Sequence, residues 1–413
     1  MANRVTPIPH IRVVEQNRFH FWGSFRLFKT KKLFSKRNVE EDCTRSGLYR
    51  QVSIMIFCSK LFCLWPLKRD FRICLLQLVV SATAIAIWTY HSLSYAKNHI
   101  DVVLVAAARY ILTIVRLFFC CLSVISTLYL YTSRRYSFLS FFRGMERLDS
   151  ILRSIGCEVS YPKNISFIFH ILLTFHLIYV QTNFFSRLSF LLEVQNQYRY
   201  CVFVVIHMFT VLLNAFSLRF RLLCSSAKKC DSNSRFRLHT LIKLHKSLCH
   251  QIRKLRKIYS FQIVMIFAVI ITTYIWNVHR FSSMILRFED EYAKKTVINL
   301  KSRTIMISLY TFWLWLMASA GENLKRSADN FYEELYSIIL EDQSNILSKD
   351  LMLKTYLKVK PSAEYRLCKA INLDNRLIKS VLGITVSYII VSIQLSIPCK
   401  CQFGIVQTSF NSS

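Results

Sequence analysis

Apolar runs of bilayer length, separated by basic connectors, set the limits on what this chain can become. A hydrocarbon core about 30 Å thick takes roughly 20 apolar residues at 1.5 Å each. Seven segments meet that requirement: 72–93, 102–131, 165–186, 200–223, 258–280, 304–320 and 377–397. The 413 residues carry 55 Lys+Arg against 23 Asp+Glu, a net charge of +32, yet 53% are hydrophobic. Charge and apolar surface are segregated along the chain, so the expected fold class is all-α: a polytopic membrane protein of seven transmembrane helices. So many apolar side chains exclude a disordered chain. The first 50 residues are basic and lack a signal-peptide layout, so the first span is expected to act as an uncleaved targeting signal.

The connectors fix an expected orientation. Alternate sides of the membrane hold 41 and 9 of the Lys and Arg residues, the rest lying in or beside spans. The positive-inside rule puts the richer side in the cytosol, hence a cytoplasmic N-terminus and an extracellular C-terminus at the plasma membrane. The same asymmetry accounts for the charge surplus in the lipid bilayer without any nucleic acid. Most of the 14 Cys fall in the membrane or on the cytosolic side, where thiols stay reduced.

Five further divisions follow. Residues 1–71 form a cytosolic arm, within which 48–67 is apolar but interrupted by Lys60 and Pro66. This stretch is expected as a short interfacial or packing helix, an eighth span being the alternative. Residues 72–320 make the six-helix sensing bundle, and 224–257 is a cytosolic extension of it. Only seven Gly and six Pro are present, so 235–257 is expected to run as one helix into the span that follows. Residues 321–376 form a cytosolic helical segment in which Leu324, Ala328, Phe331, Leu335 and Ile338/Ile339 share a face. That stripe is covered either by other subunits or within one chain. Residues 377–397 are the last span, and 398–413 a short extracellular tail.

No enzyme signature is present: no GxGxxG, P-loop, HExxH or GxSxG. Nothing asks for a cofactor. His239, His245, Cys249 and His250 cluster on the cytosolic helix, but the surrounding Lys and Arg repel cations, so no metal is expected. Arg109 and Arg116 lie seven apart in the second span. Arg109 is expected to snorkel to an interface and Arg116 to face a cavity. Polar and aromatic residues gather in the outer halves of the middle spans: His176, Tyr179, His207, Tyr274, Tyr310 and Trp313. Some lie deeper than an interfacial belt, which suits a small-molecule pocket. Belt or packing roles remain the alternative for each.

The last span is the most distinctive. Gly383 is the sole Gly inside an expected span, a place for a bend or a close approach. Tyr388, Val391 and Leu395 share a face, and Gln394 is an amide in an apolar stretch, which calls for an interhelical hydrogen bond. An apolar stripe beside such an amide suits a constriction that gates by dewetting.

Ser387-Tyr388, five residues, then Gln394-Leu395 resembles the Tyr-x5-Gln-Phe signature that closes insect gustatory receptors, with Leu where Phe is usual. Cys368–Ser380 resembles the family's lead-in to that span, and Tyr259-Ser-Phe-Gln262 the opening of its fifth. The resemblance implies a tetrameric ligand-gated cation channel acting as a taste chemoreceptor. It implies Val391 and Leu395 at the gate, Gln394 at the subunit contact and Tyr388 in support. It also implies a small-molecule tastant and a homo- or hetero-tetramer with other gustatory receptors; bitter compounds are the expected class because the chain lacks clear resemblance to sugar or carbon-dioxide receptors. An odorant-type chemoreceptor channel and a G-protein-coupled receptor are the alternatives. The latter needs the opposite charge bias and an NPxxY that the chain lacks.

Overall fold

The computed structural model describes residues 47–61, 83, 90, 114, 115, 118, 122, 125, 135–160, 189–230, 235–286, 293–343, 346–361, 363–367 and 371–396. The third expected span, all but isolated positions of the first two, and Arg109, Arg116, His176 and Tyr179 lie outside these residues.

The described residues are mostly helical. Helices α1 (Gly47–Leu61), α2 (Arg135–Ser154), α3 (Ser189–Lys228), α4 (Arg235–Leu286) and α5 (Ala293–Glu341) are followed by the short α6 (Ile346–Lys349) and α7 (Leu351–Val359). A two-stranded antiparallel hairpin, β1 (Arg366–Leu367) and β2 (Ile371–Asn372), then leads into α8 (Asn375–Ser396). Neither α3 nor α4 contains Gly or Pro, and both run unbroken for 40 and 52 residues. Thus 235–257 and the apolar run after it form one rod. Among the described residues, Val202–Lys228 and Arg235–Val278 are each long and apolar enough to cross a bilayer.

Helix ends follow local chemistry. Gly156, at φ +83°, closes α2: its N–H reaches Arg153 O at 3.0 Å, and the Cys157 N–H reaches Leu152 O at 2.9 Å. This paired bonding needs a left-handed residue, which Gly supplies without steric cost. Asp350 caps α7 by accepting from the Met352 and Leu353 N–H groups.

Helix α3 is the centre of the core. It lies against α5 along much of its length and also packs on α1 and α4. Val202 to Leu213 are nearly all buried, as are Phe216 and Phe220. Helix α1 sits on α2 and α3 through Leu48, Val52, Met55 and Ile56, with Tyr49 edge-on to Phe142 at 5.6 Å. This 15-residue element overlaps the apolar stretch 48–67.

One ionic contact is sealed within the core. Arg219 on α3 donates through Nε and Nη2 to both carboxylate oxygens of Asp149 on α2, each at 2.7 Å, and through Nη1 to Ala215 O. The Arg219 side chain has no exposed surface. A bidentate pair satisfies both partners where water is excluded. Arg219, at the end of the expected span 200–223, is therefore sealed in the core rather than solvated.

The apolar stripe of 322–340 is covered within the chain. Leu324, Ala328, Phe331 and Leu335 are buried, and Phe331 stacks on His245 of α4 at 4.8 Å. Of the two coverings open from the sequence, the chain supplies its own. The ring of His245 also meets Phe220, Tyr332 and Tyr356, and Cys249 Sγ lies 3.6 Å from its Nδ1. His239 instead binds Asp350, and His250 is exposed. Of the four residues clustered in sequence, His245 and Cys249 thus share one buried environment, while His239 and His250 lie apart from it.

Candidate functional site

Two places are candidate sites: the seat of α8, and the aromatic seam between α3 and α5.

Helix α8 begins where Asp374 accepts from the Arg376 N–H at 3.0 Å. Its lead-in is the hairpin, whose β1 lies on α4. Leu373 closes the lead-in by donating its N–H to Tyr365 O at 3.1 Å. Glu364 ties the same region to α5: it accepts from Lys325 Nζ at 2.9 Å and from Arg366 at 2.7 Å. Those two cations, Lys325 foremost, hold its carboxyl below the usual range.

Beyond that start, α8 touches α4 and α5 along a narrow stripe. Val381 and Thr385 are buried, with Leu377 and Tyr388 partly so, a spacing of four, four and three residues that keeps one helix face inward. Leu382, Ile384, Val386, Ile390 and Val391 point away, Val391 with 51% of its surface exposed. The hydroxyls of Ser380, Thr385 and Ser387 each bond the carbonyl four residues earlier, at 3.1, 2.8 and 3.0 Å. They are spent on their own helix, so among the described side chains from Leu382 onward the outward face is apolar apart from Gln394, which is exposed, whereas Arg376 and Lys379 are exposed in the first turns. Leu395 lies in α8, but its side chain is outside those described.

Gly383 is not a close-approach position among the described residues: a Cβ there would meet none of them within 4 Å. The close approach is at Gly321, at the end of the expected sixth span, where α5 continues as helix against Leu373.

The seam brings three of the sequence-derived pocket residues together. His207 on α3 stacks on Phe203, centroids 5.7 Å apart and 8° from parallel. Phe203 packs against Trp313 of α5 at 5.5 Å, and Tyr310 meets Trp313 edge-on at 5.3 Å. All are buried, as is Tyr274 on α4 in the same core. The indole Nε1 of Trp313 and the hydroxyl of Thr210 are buried without hydrogen-bond partners among the described residues. A buried unpaired donor is costly, and an acceptor atom brought beside it would offset that cost. Phe203 and Thr210 went unnoticed in the sequence. Their spacing from His207, four before and three after, puts all three on one side of α3 and is the signal that was there.

At the opposite end of α4, Asp350 accepts from Arg235 Nε at 2.6 Å and from His239 Nε2 at 2.8 Å. Burial alone would raise this carboxyl. The Leu353 N–H and then the Arg235 and His239 side chains outweigh burial and hold it at about 2.

Residues 52–397 match the family described as 7tm chemosensory receptor. No curated protein matches the sequence. Among solved structures, the chain is similar to the insect olfactory receptor OR5 from Machilis hrabei, with 13% identity and a TM-score of 0.52, over 84% of this chain and 98% of that one. It is also similar to the same receptor in complex with eugenol, with 12% identity and a TM-score of 0.50 over the same shares. At such low identity the likeness speaks for the fold.

Proposed function

Since the chain belongs to the 7tm chemosensory receptor family, we propose that it is a ligand-gated cation channel for taste, opened by a small-molecule tastant and assembled as a tetramer. The observation that carries this is the face of α8. A 22-residue apolar helix is fixed at its start and along one stripe, while Leu382, Ile384, Val386, Ile390 and Val391 are left uncovered. A helix apolar on every side is buried or lies in a membrane. Four copies of α8 facing one axis would give that surface a use, with Val391 and Leu395 as a hydrophobic gate and Gln394 bonding between subunits. Tyr388 supports the gate, and Gly383, with open space around it, admits a neighbouring helix.

The seam supports the ligand half of the proposal. Phe203, His207, Tyr310 and Trp313 offer flat apolar surface, and the Trp313 N–H and Thr210 hydroxyl offer donors. A flat organic molecule with a hydrogen-bond acceptor suits these groups, and bitter compounds include many of that type. The eugenol complex of the Machilis hrabei receptor supports small-molecule binding in this fold. Ligand would open the channel only by binding the open packing more tightly than the closed one. The connector charges support a cytoplasmic N-terminus.

The test is current in voltage-clamped cells expressing the full chain, with bitter compounds, sugars and amines and no added G protein. A millisecond-onset cation current is expected, altered by Gln394→Ala or Leu395→Ala. Its half-maximal concentration should rise about fivefold in Trp313→Phe, which keeps an aromatic ring and removes a hydrogen bond worth about 1 kcal/mol. A slow response abolished by blocking G proteins would sink the channel proposal.

A further inference from the structure

Gly321 sits inside a 49-residue helix, where glycine is otherwise destabilising. Its presence has a local reason. A Cβ at this position would fall inside the Leu373 carbonyl oxygen and lie 3.0 Å from Leu373 Cγ and 3.1 Å from the carbonyl carbon. Two backbones are therefore in direct contact. One belongs to α5, the other to the residue that precedes the cap of α8. By contrast, a Cβ at Gly144 would meet only the amide end of the Gln251 side chain, which can swing aside.

Leu373 is a junction. Its N–H is held by Tyr365 O, and the ring of Tyr365 meets Phe209 of α3 edge-on at 5.0 Å. Its carbonyl rests on Gly321, and Asp374, the next residue, caps α8. Trp313 lies eight residues before Gly321 on the same unbroken helix, about 12 Å away along the axis at 1.5 Å per residue. A shift of α5 at the seam reaches Leu373 with no side chain between to absorb it. Packed backbones are not compressible, so the contact moves as a unit.

We propose that Gly321 is a positioning residue: its backbone contact with Leu373 sets where α8 starts and passes movement of α5 to that helix. The inference rests on α8 being the pore helix, and two readouts keep the two claims apart. The first is hydrogen exchange of the full chain in lipid nanodiscs. In Gly321→Ala, amides of 373–385 should exchange at least tenfold faster, while those of 202–220 stay unchanged. Gly144→Ala should change neither segment. The second is ligand-free cation current, which should differ at least threefold in Gly321→Ala at equal surface expression and unchanged unit conductance. Leu373→Ala, which removes the isobutyl group and keeps the carbonyl, should shift both readouts less and in the same direction. It decides the matter if Gly321→Ala does not fold.

Wild-type exchange rates over 373–385 in the variants would overturn the assignment. So would faster exchange with unchanged current, since the seat would then not reach the gate. A wild-type chain that reaches the surface and carries no current would remove the channel proposal, and exchange alone would then judge the seat.

Discussion

Helices α3 and α8 are both rich in large apolar side chains, and they differ in where those side chains go. From Val202 to Phe220, α3 is enclosed by α1, α4 and α5 nearly all round. Helix α8 buries Val381 and Thr385 and leaves five large aliphatic residues uncovered. The same kind of sequence thus serves two ends. In α3 the apolar surface is used within the chain. In α8 it is held out for lipid or for other copies. Hydropathy alone assigns both helices to the membrane and does not separate a structural core from a functional face.

The largest effect expected from breaking this contrast is at the sealed ion pair beneath α3. Arg219→Met should leave the buried Asp149 carboxylate uncompensated and cost about 3–5 kcal/mol. Thermal unfolding of detergent-solubilised protein reads this. The double variant with Asp149→Leu should recover much of the loss, because neither charge then remains.

Next comes a matched pair of truncations. Leu212→Ala should cost about 2 kcal/mol, the low end of core values, since lipid is as apolar as the interior and only packing is lost. Ile390→Ala should leave the unfolding midpoint of the single chain nearly unchanged and weaken assembly. Native mass spectrometry or size-exclusion light scattering would show fewer of the proposed tetramers. Equal assembly of wild type and Ile390→Ala would mean that this part of α8 faces lipid.

The smallest effect is a pH response remote from both helices. The depressed carboxyl of Asp350 contributes stability above its unfolded value near 4, and that contribution is lost as the pH falls toward about 2. In Asp350→Asn this part of the acid response should vanish and the cap should weaken. Exchange at Met352 and Leu353, whose N–H groups Asp350 holds, would report it.

How far the sequence led depended on the range of the interaction. Continuity of α4 across residue 257 was legible because no Gly or Pro interrupts it. The stripe of Leu324, Ala328, Phe331 and Leu335 was legible as a face, but its covering was not. That depends on α3 and α4, which periodicity in one helix does not show. The expected division between the sixth span and the cytosolic segment falls at residue 321, and α5 runs through that position as one helix. Glycine serves there to admit Leu373, a residue 52 positions later. The Arg219–Asp149 pair, 70 residues apart, was hidden for the same reason: nothing near either residue in sequence points to the other. Of the seam, His207, Tyr310 and Trp313 were found by residue type, whereas Phe203, Thr210 and their mutual geometry needed the packed helices.

The unbroken length of α4 has a mechanical consequence. Fifty-two residues at 1.5 Å make a rod of about 78 Å, of which about 35 Å precedes Ile258. Such a rod is a lever arm. A tilt of about 5° in its apolar half carries the far tip about 3 Å, as far as a hydrogen bond is long. That tip holds Arg235 and His239 against Asp350. Because a helix adjusts its tilt to hydrocarbon thickness, the host membrane itself bears on that latch. Cells whose sterol content differs would then set different resting positions for the same chain.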